Sequence, residues 1–173
     1  MPDPGLQRLT EQLASKLEKD SLIQSTVQQL QKSLQVDRIL LYYFYQKWEG
    51  QVTFESLSHT DFSIFGSSGP DECFNDEYAQ LYLEGRVRAI PDIETELIAE
   101  CHRDFLRDLQ VRANLVVPVL SQGSLWGLLI AHSCTQSRAW SKIDIETMLK
   151  GANLLATSPV ILENSQSKLS KLS

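Results

Sequence analysis

Two pairs of strand-like segments bracket one long insert, and this arrangement constrains the fold more than any other feature of the chain. Asp37 to Tyr45, DRILLYYFY, is aliphatic and aromatic from Ile39 onward, and it reads as a strand. After a turn at Trp48-Glu49-Gly50, the segment Gln51 to Leu57 returns with Val52, Phe54 and Ser56 alternating, which completes a β-hairpin. Val111 to Leu120 and Leu125 to Ser133 form the second pair, joined by a Ser121-Gln122-Gly123-Ser124 turn. Pro118 cannot donate a ladder hydrogen bond, so it is expected at an edge or a bulge. Residues 58–110 separate the two pairs. Long excursions from a rigid sheet are where ligands commonly bind.

Helical periodicity surrounds these strands. Leu6, Leu9, Leu13 and Leu17, then Leu22, Ile23, Val27, Leu30 and Leu34, follow a 3.6-residue period, with Asp20-Ser21 placed to break or cap the helix into two pieces. Ser141 is an expected N-cap for a helix carrying Ile143, Ile145, Leu149 and Leu154, and Ser158-Pro159 should end or kink it. The segments are therefore 1–35 as a helical extension, 36–157 as one domain, and 158–173 as a polar tail or linker. Strands in antiparallel pairs with segregated helices give an α+β architecture, an antiparallel sheet with helices packed on one side.

The insert carries the chemistry. His59 to Pro70 is polar and Gly-rich and reads as loop, with His59 a solvated loop residue. A helix is expected from Asn75 to Glu84, stopped by Gly85, then a short strand from Arg86 to Ile90. Ile98 to Leu109, IAECHRDFLRDL, reads as an amphipathic helix whose apolar stripe is Leu97, Cys101, Phe105, Leu106 and Leu109. That spacing points the Cys101 thiol at the interior with His102 beside it. A neighbouring imidazole lowers a thiol pKa and favours the reactive thiolate. The competing reading is a core cysteine beside a surface histidine.

Composition narrows the functional classes. A net charge of −6 and a pI near 5.1 argue against non-specific nucleic-acid binding, and an anionic ligand must be met by locally placed arginines. No apolar run is long enough for a membrane span and the first residues lack a signal-peptide core, so a cytoplasmic location is expected. The cysteines Cys73, Cys101 and Cys134 are too few for a disulfide framework and lack zinc spacing, and no metal site is expected. No phosphate loop or catalytic triad signature is present.

CHRDFLRDLQVRANLVVPVL, SLWGLLIAHSC, Trp140 and EGRVRAIPDIE resemble, in order, the motifs of the photosensory GAF domain of cyanobacteriochromes, from about Val36 to about Leu155. DECF at residues 71–74 resembles the Asp-x-Cys-Phe motif of the dual-cysteine subgroup, with Glu72 where that subgroup often has Pro. The resemblance implies a GAF-type sheet with a long bilin-binding insertion. It implies a photoreceptor module that binds a linear tetrapyrrole covalently and photoconverts by double-bond isomerisation, relaying light to an output domain in a larger signalling protein. Cys101 would be linked by thioether to ring A of phycocyanobilin or phycoviolobilin, and Cys73 would form a second, reversible thioether that shortens conjugation and moves absorption to violet or blue. Asp71 would face the pyrrole nitrogens, and its other reading is a helix N-cap.

His102 would pack on the rings. Arg86, Arg88 and Arg112 would be the cations for two propionates, with ordinary surface arginines as the competing reading. Tyr82 would offer a hydroxyl, and His132 a hydrogen bond near ring D, each with ordinary core packing as the competing reading. Trp126 reads as core, and Trp140 as lid or packing. The protein would not be an enzyme beyond autocatalytic bilin attachment and isomerisation. A GAF domain binding a cyclic nucleotide or another small ligand without a covalent bond is the alternative, and the terminal helices leave a homodimer open.

Overall fold

In the computed structural model, which describes residues 4–46, 49–67 and 76–170, helix α1 (Pro4–Lys19) leads into α2 (Ser21–Leu34). The break between them has a local cause. Asp20 adopts an extended backbone, and its side chain accepts a hydrogen bond from the Ile23 N–H at 2.9 Å, so a new helix starts there. The chain continues through β1 (Arg38–Gln46), β2 (Glu49–Leu57) and a short 3₁₀ turn, then α3 (Asp76–Leu83), β3 (Arg88–Ile90) and α4 (Glu100–Asp108). It closes with β4 (Ala113–Ser121), β5 (Ser124–Ser133), α5 (Lys142–Leu155) and α6 (Pro159–Ser170).

The five strands form one sheet in the order β2-β1-β5-β4-β3, and every neighbouring pair is antiparallel. The two sequence hairpins therefore meet edge to edge through β1 and β5. At the tip of the second hairpin Gln122 and Gly123 both take positive φ, 52° and 78°, which is what a two-residue turn matched to strand twist requires. β3 pairs only with residues 114–116 of β4, so Pro118 lies where β4 has no partner on that side, as expected for a residue without an N–H.

Period-2 alternation assigns the faces. Ile39, Leu41 and Tyr43 of β1, with Leu115, Val117 and Val119 of β4, pack against Leu17, Ile23, Val27, Met148 and Leu155 from the helices. Many of these side chains are fully buried, and each stabilises the fold by about 1.5–3 kcal/mol. This layer anchors the sheet, which frees the opposite face to be shaped for something else. The close approach of α2 and α5 is visible at Gly151, where an added Cβ would lie 2.8 Å from Leu30 Cδ1. Ser141 and Asp144 form a reciprocal capping box that starts α5, so the expected N-cap is observed.

One feature departs from the sequence expectation, and a second shows how Trp126 reaches the core position expected of it. The stretch from Ser158, read as a polar tail, carries α6. α5 ends before Ser158-Pro159 as expected, Ser158 accepts from the Val160 N–H and donates to Asp20, and Pro159 opens the new helix. Its Ile161 is buried against the helical core. Second, β5 pairs Gly127 with Val119 and Leu125 with Leu120, which leaves Trp126 as an extra residue in a bulge. The bulge turns the Trp126 ring into the helical layer, against Tyr43 at 5.1 Å, where its indole N–H donates to Asn164 of α6 at 2.8 Å.

Candidate functional site

The face of the sheet turned away from α1, α2 and α5 floors a cleft that encloses about 850 Å³, counting its solvent-open side. Leu40, Tyr42 and Phe44 of β1, Val116 of β4, and Leu128 and Ile130 of β5 make the floor, and α4 makes one wall. Tyr82 of α3 and Arg88 of β3 stand at the sides. The largely apolar lining with a few polar groups is the kind that suits a small-molecule site.

α3 ends as expected at Gly85, with φ of +96°. The Gly85 and Arg86 N–H groups donate back to Tyr82 and Leu81 carbonyls at 3.0 Å each. This closure directs the chain from α3 into β3 and holds the buried Tyr82 ring against the cleft. The expected strand from Arg86 is shorter than read, since β3 begins at Arg88. Arg86 instead lies over the Tyr82 ring, 5.8 Å from its centroid. Among the described residues Arg88 is the one cation that lines the cleft.

The orientation of α4 corrects the sequence reading. Cys101 is exposed, and the cleft wall is His102, Phe105, Leu106 and Leu109. Leu97 precedes the helix and is 98% exposed, so it is not part of the stripe. Leu106 and its neighbours Ile98, Phe105 and Leu109 pack with Ile90, Ile93 and Val111, so the observed face keeps Phe105, Leu106 and Leu109 of the expected stripe but takes in His102 instead of Cys101. Cys101 therefore sits at the rim, next to His102 rather than beneath it. Its sulfur is in a disulfide, whereas Cys134 is a free thiol. Asp71 and Cys73 lie outside the described residues.

A network of arginines holds this wall in place. Arg103 donates to the backbone carbonyls of Ile93 and Glu96, Arg107 pairs with Glu94, and Arg112 makes two hydrogen bonds to Asp92, at 2.7 and 2.8 Å. Arg112, read as a ligand-binding cation, is thus committed to Asp92. The guanidinium pulls the Asp92 carboxyl down to a pKa of about 2. Trp140 is packing rather than lid: its indole donates to the Ile90 carbonyl and Arg138 stacks on it at 4.9 Å.

The cleft ends at a polar row of three residues, two of which, Asn114 and His132, line it, and the sequence reading missed two of the three. Arg38, His132 and Asn114 are register partners on β1, β5 and β4, so their side chains line up on the cleft face. All three are buried. Arg38 donates from Nη2 to the Leu109 carbonyl, which caps the C-terminal end of α4 with a cation, and the same nitrogen lies 3.0 Å from Cys134 Sγ. Among the described residues, Arg38 Nε and Nη1, His132 Nδ1 and Asn114 Oδ1 have no hydrogen-bond partner. Burial, and then the Arg38 charge, push the His132 pKa well below its ordinary value, so the imidazole is neutral. The alternation that puts Leu40 and Tyr42 on this face also puts Arg38 there, and that was the available signal.

Comparison with known proteins agrees with this geometry. The family model described as GAF domain matches residues 18–158. The chain is 46% identical to an uncharacterized protein of Picosynechococcus sp. over 156 residues, covering 90% of this chain and 96% of that protein. It is 32% identical to the circadian input-output histidine kinase CikA of Synechocystis sp., covering 78% of this chain but only 21% of the kinase. Among solved structures it is similar to the cyanobacteriochrome receptor PixJ, in dark and steady-state-illuminated crystals, with a TM-score of 0.71 and 33% identity over 79% of this chain and 94% of that one. It is also similar to the blue-light absorbing form of the Thermosynechococcus elongatus PixJ GAF domain, with a TM-score of 0.71 and 29% identity over 99% of this chain and 95% of that one. An antiparallel five-stranded sheet, helices on one side, and an insert that walls a cleft on the other are the features of a GAF domain, and the chain belongs to the GAF domain family.

Proposed function

We propose that the chain is a photosensory module that binds a linear tetrapyrrole in the cleft over the sheet. The observation that carries this reading is the cleft itself. It is largely apolar, it is walled by the helix that bears Cys101 and His102, and it ends in a polar floor that the protein leaves unsatisfied. A flat, conjugated pigment with polar groups at its ends suits such a slot. The likeness to PixJ, a cyanobacteriochrome, supports the same conclusion.

In this reading Cys101 is the attachment point, and its exposed position at the rim suits a bond to the first ring of a pigment entering from solvent. The chemistry requires the reduced thiol. Its sulfur bonds to a ring A carbon of phycocyanobilin, or of phycoviolobilin formed by isomerisation, and the thiol proton passes to the pigment. Beyond this attachment and isomerisation the module performs no enzymatic reaction. His102 packs against the rings from the wall. Tyr82 lines the opposite side. Arg88 faces a propionate, with Arg86 behind it on the Tyr82 ring. His132 bonds near the last ring. Asp71 faces the pyrrole nitrogens. Cys73 adds reversibly to the pigment, which shortens conjugation and gives a violet or blue state that alternates with a greener one.

The module works in the cytoplasm and relays light to an output domain in a larger protein, as the small share of the CikA kinase that it spans supports. A homodimer through α1 and α6 is compatible with this role. Expression with phycocyanobilin, followed by denaturation and zinc-dependent fluorescence on a gel, tests the reading. A fluorescent protein band in the wild type, and none in Cys101→Ala, is the expected result. A band that persists in Cys101→Ala, or no band in the reduced wild type, contradicts it.

A further inference from the structure

We propose that Asn114 is a specificity residue of the cleft and recognises the terminal lactam edge of the pigment, an inference that rests on the bilin reading above. Asn114 is 3% exposed, lies in the middle of a sheet and lines the cleft, yet its Oδ1 has no hydrogen-bond partner. A buried carbonyl oxygen left unpaired is costly, so this side chain is out of balance until something enters. Neighbouring strands cannot supply the partner. On the same face its cross-strand neighbours are His132, whose Nδ1 is equally unpartnered, and Ile90.

The chemistry of a carboxamide selects the partner. It presents one acceptor and one N–H₂ donor side by side. A carboxylate satisfies only the donor, and a hydrocarbon satisfies neither. A cis-lactam offers an N–H and a C=O on one edge, and pairs with a carboxamide through two reciprocal hydrogen bonds. Only the two end rings of a linear tetrapyrrole carry a lactam.

Position selects which end. Cys101 lies in the first turn of α4. Asn114 lies beyond the last turn, in the row that includes Arg38, whose guanidinium caps α4 at Leu109. The helix between them is about 12 Å long, at about 1.5 Å per residue. A pigment held at Cys101 by its first ring therefore presents its distal ring to Asn114. Arg38 keeps this end of the helix fixed, and neutral His132 completes the edge.

Two measurements on the phycocyanobilin-loaded full chain test this. Asn114→Leu keeps the size of the side chain and removes both hydrogen bonds. The expected result, read on the pigment-loaded fraction, is an upward shift of the distal-ring lactam carbonyl stretch in the infrared. An unshifted stretch in the loaded variant overturns the inference and leaves pigment binding intact. If Asn114→Leu does not fold, the wild type decides through asparagine-selective ¹⁵N NMR. Loading with pigment should move the Asn114 side-chain amide resonances, and resonances that stay in place overturn the inference. A wild type that takes up no pigment at all defeats the bilin reading, and this inference with it.

Discussion

Arg112 grips Asp92 through two near-parallel hydrogen bonds of 2.7 and 2.8 Å, and this pair ties the chain ahead of α4 to the start of β4. Asp92 also accepts from the Glu94 N–H at 3.0 Å, so the carboxylate shapes the turn that leads to the cleft wall.

This pair sets an acid limit. The folded Asp92 pKa is lowered from 3.8 to about 2, first through the Arg112 hydrogen bonds and then through the Glu94 N–H. A depressed carboxylate contributes stability that is present above its unfolded value and is lost as pH falls through the folded one. Wild-type melting temperature should therefore drop between pH 4 and pH 2 more steeply than that of Asp92→Asn. The variant should already be less stable at pH 7. Circular dichroism melts across that range check it, and parallel curves contradict it.

His132 titrates with the same sign at a higher pH. Its folded pKa lies well below the ordinary value of 6.5 because burial, and then the nearby Arg38 charge, disfavour the cation. The unfolded chain takes up a proton below that value while the folded chain does not. Stability should thus fall as pH drops below 6.5, by about 1.4 kcal/mol per pH unit for that one proton. His132→Gln should flatten the profile in urea unfolding measured between pH 5 and pH 8. An equal slope in the variant would show that His132 is not the titrating group.

Gly127 is fixed by its surroundings. A Cβ there would lie 2.2 Å from the Tyr42 carbonyl oxygen, which belongs to the backbone of the adjacent strand and cannot swing aside. Gly127→Ala should destabilise the fold by about 1–3 kcal/mol, the usual cost of overpacking. The midpoint of urea denaturation measures this. An unchanged midpoint would mean that the β1–β5 pairing relaxes without cost.

Much of the architecture was legible because it follows local rules. The hairpins, the Asp20 break, the Gly85 stop and the Ser141 cap each depend on a few adjacent residues with a fixed conformational preference. The misreadings arose where tertiary packing decided. The stripe on α4 could be drawn through Cys101 or one residue further round, and only the Ile90, Ile93 and Val111 cluster chooses. Arg112 looked like a cation for a ligand, yet Asp92, twenty positions earlier, had already taken it. The polar row at the end of the cleft needed strand register as well as alternation. α6 looked like a tail because its sequence is rich in Ser, Gln and Lys, and the burial of Ile161 and the Asn164–Trp126 bond reveal it.

The central claim is a bond between one sulfur and one pigment. Reduced protein incubated with phycocyanobilin, digested and analysed by mass spectrometry, tests it most directly. The account predicts that the peptide containing Cys101 gains the full mass of the tetrapyrrole. A Cys101 peptide of unmodified mass, in a sample that has bound the pigment, would contradict it.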